Sequence, residues 1–316
     1  MSQTANTNLV KSLAKQLGFD YCGIAAAREL TEDAKRLENW LSKGYQGEMQ
    51  YMENHFDLRI DPRKLVPGAK SVITFLKNYY PSTSDQQLQE NTTTKIAKYA
   101  WGEDYHEVIR AKLHMLLTAM QKQIGEVIGR GFVDSAPVLE RSWAQLSGAG
   151  WIGKNGNLIQ PQAGSFFFIA TLIVDIDLDY DAALPKDYCG SCTKCIDACP
   201  TNAILPNKTV QGNHCISYYT IELKQAELKA NKNYSDWAFG CDICQDVCPW
   251  NRFSIAHNEL QFKPLEGLLQ MSQEQWLQME ETTFKARFKK SPLLRTKLKG
   301  MQRNIQFLMK QKEKNN

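Results

Sequence analysis

Eight of the nine cysteines fall between Cys189 and Cys248, and their spacing is that of a metal centre rather than a disulfide framework. The run CGSCTKCIDACP sets Cys189, Cys192, Cys195 and Cys199 as C-x2-C-x2-C-x3-C-P. Three thiolates this close together cap one face of a four-iron cube, while the fourth points away and needs another cube. A second set supplies it. CDICQDVCP carries Cys241, Cys244 and Cys248, and Cys215 stands upstream in GNHCISYY. By the exchange usual for this run, Cys189, Cys192, Cys195 and Cys248 hold one 4Fe–4S cluster, and Cys199, Cys215, Cys241 and Cys244 hold the other. Pro200 and Pro249 end the local turn behind the outlying cysteines. Structural zinc in C-x2-C pairs is the plainer alternative, but it leaves two C-x3-C-P endings unexplained. Cys22, the ninth, lies in an apolar stretch and reads as a small buried hydrophobe.

Two clusters in exchange geometry form a short electron relay, and a free-standing ferredoxin needs far fewer residues than this chain has. The stretch ahead of the clusters must bind whatever receives the electrons. Two nucleotide patterns there fail. Gly148, Gly150 and Gly153 match G-x-G-x-x-G, but the preceding SAPVLERSWAQLSG looks helical where a strand is required. Gly148 to Lys154 match G-x4-G-K, yet Asn155 follows instead of Ser or Thr. A helix C-cap with close backbone approach is the simpler account, leaving Lys154 and Asn155 placed to bond a polar cofactor edge. Asp104-Tyr105-His106 begins the D-x-H-x-x-G pattern that gives cobalt a histidine ligand, but Ile109 takes the place of its glycine. Asp134, in GFVDSAPVLER, reads locally as a helix N-cap. In an apolar pocket it could instead carry a raised pKa and act as a general acid.

The elements that must position these groups alternate between helix and strand. Asn8 to Leu17 is helical, and the strand-like FDYCGIAAA follows. Thr31 opens an N-cap pattern for a helix to about Ser42. SVITFLKNYY (71–80) reads as a buried strand, the polar PSTSDQQLQENTTT as a loop, and Tyr105 to Ile124 as an amphipathic helix. FFFIATLIVDIDLDY (166–180) is a strand or strand pair. The expected fold is α+β, with an α/β core over 1–185, a turn-rich two-cluster domain over 186–255 and a helical segment over 256–316. That last segment has helices near 273–282, 282–290 and 292–312. Its basic excess is marked: from Thr283 to Asn316 there are eleven Lys or Arg against one acid, Glu313, in a chain of net charge +4. No run of eighteen apolar residues occurs, so no membrane span is expected, and the opening MSQTANTNLVKSLAKQLGF lacks a secretory h-region. A cytoplasmic location follows as the expectation.

The order of motifs resembles one family, the epoxyqueuosine reductases, cobalamin-dependent enzymes that complete queuosine in transfer RNA. The matching stretches are LRIDPRKLVPGAKSVI, KYAWGEDYH, VDSAPVLERSWAQLSGAGWIGKNGNLI, the two cysteine sets, CISYYTIE and CPWNRF, from about residue 10 to 255. The resemblance implies a flavin-reductase-like α/β core holding base-off cobalamin, a bacterial ferredoxin-like two-cluster domain and a short HEAT-like helical end. It implies that cluster electrons reduce the cobalt to Co(I) and that the epoxide oxygen leaves as water, giving the alkene of queuosine at the wobble position. Asp134 matches the family's proton donor. Arg59, Lys98, Tyr99, Tyr105, His106, Arg141, Lys154, Asn155 and Ser217 lie in matching motifs and are candidates for contact with cobalamin or the flipped-out base. Trp101 and Trp143 could stack on a base or pack in the core.

The implied partners are tRNA bearing epoxyqueuosine and a low-potential donor such as flavodoxin or ferredoxin, with the enzyme a monomer. The basic tail supports the RNA reading independently. Lys285, Arg287, Lys289, Lys290, Arg295, Lys297, Lys299 and Arg303 suit a phosphate backbone. The alternatives are a corrinoid and iron–sulfur reductase of a small epoxide or halogenated substrate, or an electron-transfer subunit. Bound cobalamin separates the last from the others, and a phosphate-binding patch separates RNA from a small substrate.

Overall fold

The computed structural model describes residues 2–90, 94–224, 228 and 233–315. Ser71–Asn78 and Phe167–Val174 are almost continuous runs of β-branched and aromatic residues, the composition of strands covered on both faces. They pair antiparallel from Ser71 opposite Val174 to Asn78 opposite Phe167. Tyr21–Ala26 pairs outside the first and Gly129–Phe132 outside the second, completing an antiparallel four-stranded sheet.

Helices cover both faces, so the core is mixed α/β. On one side Val10, Leu13, Leu113, Leu116 and Met120, from helices Gln3–Gln16 and Tyr105–Ile124, meet Ile73, Phe75 and Leu172. Residues 113, 116 and 120 recur at helical spacing and form one apolar stripe. Full burial of a side chain such as Phe75 contributes about 1.5–3 kcal/mol, and Phe75→Ala would cost about 3–5 kcal/mol. On the other side Val72 and Ile173 meet Val138 and Trp143, beside helix Glu140–Leu146. Asp104 caps helix Tyr105–Ile124 by accepting the His106 N–H at 3.0 Å. That cap fixes Tyr105 and His106 in the first turn.

Two local expectations are corrected, and a third, the strand or strand pair over 166–180, is narrowed to one strand. Residues 81–94 are not a loop throughout: Thr83–Glu90 is a helix, while Asn91–Thr93 lie outside the described residues. Ser82 Oγ accepts the Asp85 N–H, and the Gln89 amide both donates to and accepts from the Ile96 backbone. Polar capping and this clamp stabilise a helix with almost no apolar stripe. Thr31 is the first helical residue and not the cap; Leu30 holds that position without a side-chain bond. Residues 166–180 form one strand, Phe167–Val174.

A second core joins distant parts of the chain. Ile96–Trp101, Tyr218, Tyr219 and Trp237–Phe239 pack with Trp276, Phe284, Phe288 and Met301 of the last helices. Those helices are Gln273–Gln278, Glu281–Phe288 and Lys297–Asn315. Ser272 and Gln275 form a capping box ahead of the first. Buried Asn304 donates to the carbonyls of Thr220 (2.8 Å) and Ala238 (2.7 Å), satisfying backbone that no strand partner reaches.

Candidate active site and cluster centre

The cysteines sort into two groups in space. Cys195 feels the charges of Cys189, Cys248 and Cys192, and Cys248 those of Cys189 and Cys192. Cys215 feels Cys199, Cys241 feels Cys215 and Cys244, and Cys244 feels Cys215, Cys195 and Cys199. Cys195 and Cys244 are where the two expected sets come nearest. Burial pushes the Cys215, Cys241 and Cys244 thiols up, so their thiolate forms require a cationic centre. Backbone N–H groups already face the sulfurs: Ala203 donates to Cys199 Sγ at 3.3 Å. Among the described residues no three His, Cys, Asp or Glu side chains converge on one ion-sized point; the thiolates of a four-iron cube stand further apart, around its corners. Cys22 is partly buried, packs against the sheet core, and has a thiol pushed up to about 12 by burial.

Asp134 lies between strand Gly129–Phe132 and helix Glu140–Leu146 with a left-handed backbone (φ 53°). It is not that helix's N-cap, which is Leu139. The Tyr105 hydroxyl donates to Asp134 Oδ2 at 2.7 Å, and His106 Nε2 stands 3.5 Å from the same oxygen. His106 Nδ1 lies 2.7 Å from Asp104 Oδ1, so the imidazole bridges two carboxylates. Burial alone would lower the His106 pKa, but its bonds to Asp104 and Asp134 push it up to about 9. Burial would raise Asp134, yet bonds from His106 and Tyr105 hold it below the usual carboxylate range. The aspartate expected to be neutralised by an apolar pocket is thus ionised, with the pair's proton on His106. The raised carboxyl is its neighbour Glu140, pushed to about 8 by burial and then by the Asp134 charge. Glu140 accepts the Asp134 backbone N–H through both oxygens.

Depth and access part company here. The Asp134 side chain is 65% accessible and Arg141 is exposed, yet protein encloses both on nearly every side. Groups that are deep and still wet line a recess. Arg141 Nη1 donates to the Gly156 carbonyl at 2.5 Å. At the mouth, Arg59 donates to the Tyr51 carbonyl at 2.7 Å, and its own buried Nε has no partner. Arg295 binds Glu222 with two nitrogens (2.8 and 3.2 Å) over the Tyr51 ring, and feels the Asp134 charge.

A cavity of about 290 Å³ lies against the second cysteine set, and Tyr99, Asn155 and Ser217 line it. Ser217 donates from backbone and side chain to Cys215, and Asn155 donates to the Cys244 carbonyl at 3.1 Å. Tyr99 packs edge-on against Tyr105 at 6.0 Å, which links the cavity wall to Asp134. Two members of the expected set sit elsewhere. Buried Lys98 pairs with Asp246 (2.6 Å) and Asp242 (3.6 Å), and the Lys154 amine donates to the carbonyls of Gly190 and Cys192, over the first cluster's loop.

Trp101 and Trp143 are core residues, each 1% exposed. Lys285, Arg287, Lys289, Lys290, Lys297 and Lys299 are exposed, with Lys285 beside Glu281 and Arg287 on the Glu266 carbonyl. Arg303 is turned inward onto the carbonyls of Leu223 and Tyr219. The sequence reading missed Glu140, Tyr51 and Glu222. Glu140 stands directly before Arg141 in a quoted motif and Glu222 ends the quoted CISYYTIE, so both were within reach; nothing local marks Tyr51.

Mixed α/β architecture with paired cysteine sets defines an iron–sulfur oxidoreductase. Residues 59–135 match the family model described as epoxyqueuosine reductase QueG, DUF1730, and residues 188–251 match the 4Fe–4S double cluster binding domain. The epoxyqueuosine reductase of Cyclobacterium marinum is 56% identical over 305 residues, 96% of each chain. A Bacillus subtilis epoxyqueuosine reductase with its Asp134 catalytic loop swung out of the active site superposes with a TM-score of 0.87 at 27% identity, over 96% of this chain and 80% of that one. An epoxyqueuosine reductase bound to a tRNA-Tyr epoxyqueuosine-modified stem loop gives 0.85 at 27% identity and the same coverage. The chain belongs to the epoxyqueuosine reductase family.

Proposed function

We propose that this chain reduces epoxyqueuosine to queuosine at the wobble position of tRNA, using two 4Fe–4S clusters and base-off cobalamin. The carrying observation is the Asp104–His106–Asp134 chain of hydrogen-bonding groups, joined through Tyr105 and Tyr99 to the cavity at the second cysteine set. Removing the epoxide oxygen as water consumes two electrons and two protons. The electrons come from a low-potential carrier such as flavodoxin or ferredoxin and pass from the first cluster to the second.

Cobalamin is an apolar macrocycle edged with amides, and the residues here fit it. The cavity that Cys199, Cys215, Cys241 and Cys244 line is the second cluster's own; at its edge Asn155 and Ser217 offer polar partners, and elsewhere in the site Arg59 offers a buried Nε with no acceptor among the described residues. With Tyr99, Tyr105, His106 and Arg141 they would hold it or the flipped-out base, Lys154 and Lys98 acting from the cluster side. When bound, it would supply a strongly reducing, nucleophilic centre. His106, kept cationic at neutral pH by its position between two carboxylates, holds the proton, and Asp134, ionised at rest, takes it and passes it to the departing oxygen. Glu140, neutral below about pH 8, holds the Asp134 loop, and the second proton comes from solvent.

The division into a flavin-reductase-like core (1–185), a ferredoxin-like domain (186–255) and a HEAT-like basic segment (256–316) belongs to this reading, as do a cytoplasmic location and a monomeric state. The exposed lysines and Arg287 of the segment meet tRNA phosphates, and Arg295 at the recess mouth meets the anticodon loop. The test is anaerobic reconstitution with iron, sulfide and cobalamin, then incubation with epoxyqueuosine tRNA and a low-potential reductant. Mass spectrometry should show loss of one oxygen only when both cofactors are present. No loss with both cofactors bound would reject the substrate.

A further inference from the structure

The surface around the first cysteine set has a composition that the reaction chemistry leaves unused. Trp151, Tyr188 and Trp250 meet edge-on with centroids 4.9–6.0 Å apart, and Phe253 lies tilted on Trp250 at 6.0 Å. Trp151 is the buried anchor, and Tyr188, Trp250 and Phe253 reach the surface. Tyr188 directly precedes Cys189, and Trp250 follows Cys248 by two residues, so this ledge borders two ligands of one cluster. Tyr188, Phe253 and nearby Ile255 expose 40%, 39% and 74% of their surface. The ledge is also cationic. Arg252 lies over the Phe253 ring at 4.3 Å and Lys186 over Tyr188 at 5.6 Å. Lys194 is exposed at the start of the short helix between Cys192 and Cys199. Among the described residues, none of these three cations makes an ion pair. The neighbouring acids are engaged: Asp187 by Lys208, Asp246 by Lys98 and Asp197 by the Thr193 hydroxyl.

The two clusters differ in access. Tyr188, Gly190, Ser191, Thr193 and Lys194 around the first set are exposed, whereas Ala238, Phe239, Gly240 and Asp242 around the second are buried. An electron therefore enters at the first set.

We propose that this ledge is the docking surface for an acidic, low-potential one-electron carrier protein. Each encounter passes one electron from the reduced carrier to the oxidised cluster, with no bond made or broken. A small aromatic contact rimmed by opposite charge suits transient redox encounters, which form fast and release readily. A nucleic acid fits less well, because Lys186 and Arg252 already lie over the Tyr188 and Phe253 rings on which a base would stack. The inference rests on the cluster reading above and not on the identity of the substrate.

The test uses the reconstituted holoenzyme and follows bleaching of its visible cluster absorbance by reduced flavodoxin in stopped flow. Arg252→Glu combined with Lys186→Glu and Lys194→Glu should slow this step roughly tenfold or more, while reduction by photoreduced deazaflavin, a small neutral reductant, stays unchanged. The unsubstituted protein gives a second reading: its flavodoxin rate should fall with ionic strength and its deazaflavin rate should not. An unaltered flavodoxin rate in the triple variant, or a salt-independent one in the unsubstituted protein, overturns the proposal. Loss of tRNA affinity with unaltered flavodoxin reduction overturns it in favour of an RNA surface. Cluster bleaching does not involve epoxyqueuosine, so failure to deoxygenate the tRNA leaves this result standing and counts against the substrate alone.

Discussion

The carboxylate of Glu140 holds the backbone N–H of Asp134 between its two oxygens, at 3.0 and 3.1 Å. Asp134 needs such a partner, because a left-handed backbone is unfavourable for a residue with a side chain. Glu140→Ala should free the loop and lower turnover about tenfold or more through misplacement of the acid. Glu140→Gln keeps an acceptor and should retain near-normal turnover below about pH 8, where Glu140 is itself neutral. Single-turnover deoxygenation at several pH values measures both; equal loss in the two variants would mean that the charge matters and the latch does not.

Asp134→Asn keeps the shape and removes the carboxylate that relays the His106 proton. Turnover should drop by about 10²–10⁴, with cluster spectra and tRNA affinity retained. Near-normal deoxygenation by the variant would transfer the proton-donor role to His106 or Glu140.

The pH dependence has a definite sign. His106 is protonated below about 9 and loses its proton above, so turnover should fall as pH rises through that value. Because the folded pKa lies above the ordinary 6.5, the stabilisation from this pairing is complete below 6.5 and is lost as pH rises through about 9. Asp134, held low, contributes in the opposite direction, losing its share as pH falls through its depressed folded pKa. His106→Gln should remove the alkaline limb from the rate profile and flatten thermal melts over the same interval. An alkaline limb that survives the substitution belongs to another group.

The basic segment divides into surface and brace. Neutralising Lys289, Lys290, Lys297 and Lys299 should weaken tRNA binding, each lost phosphate contact lowering the salt slope by about 0.7–0.9. Arg303→Ala should leave that slope alone and lower the melting temperature, since its guanidinium bonds the carbonyls of Leu223 and Tyr219. Filter binding across salt concentrations, with calorimetry alongside, separates them.

The parts legible in the sequence were those carried by short-range pattern. Cysteine spacing alone marked the double-cluster domain, which the family model matches over 188–251, and apolar patterning located helix Tyr105–Ile124 and strands Ser71–Asn78 and Phe167–Val174. Helix Thr83–Glu90 was hidden because its stability comes from a Ser82 cap and from Gln89 clamping Ile96, both invisible to a hydrophobic count. The ionisation of Asp134 was misjudged because His106, twenty-eight positions upstream in sequence, meets it only through folding. Arg303 reads as a surface cation until its helix is seen packed against Tyr219.

The Asn304 side chain ties together Thr220 and Ala238, while the Thr220 hydroxyl accepts the Gly240 N–H at 3.0 Å, one residue before Cys241. The loop that presents the second cluster's thiolates is thus locked by a residue near the far end of the chain. A polypeptide that has passed Cys248 but not yet Asn304 therefore holds every cysteine while its inner cluster site lacks this fastening. Premature stop codons between the two should yield protein deficient in iron although every cysteine has been made.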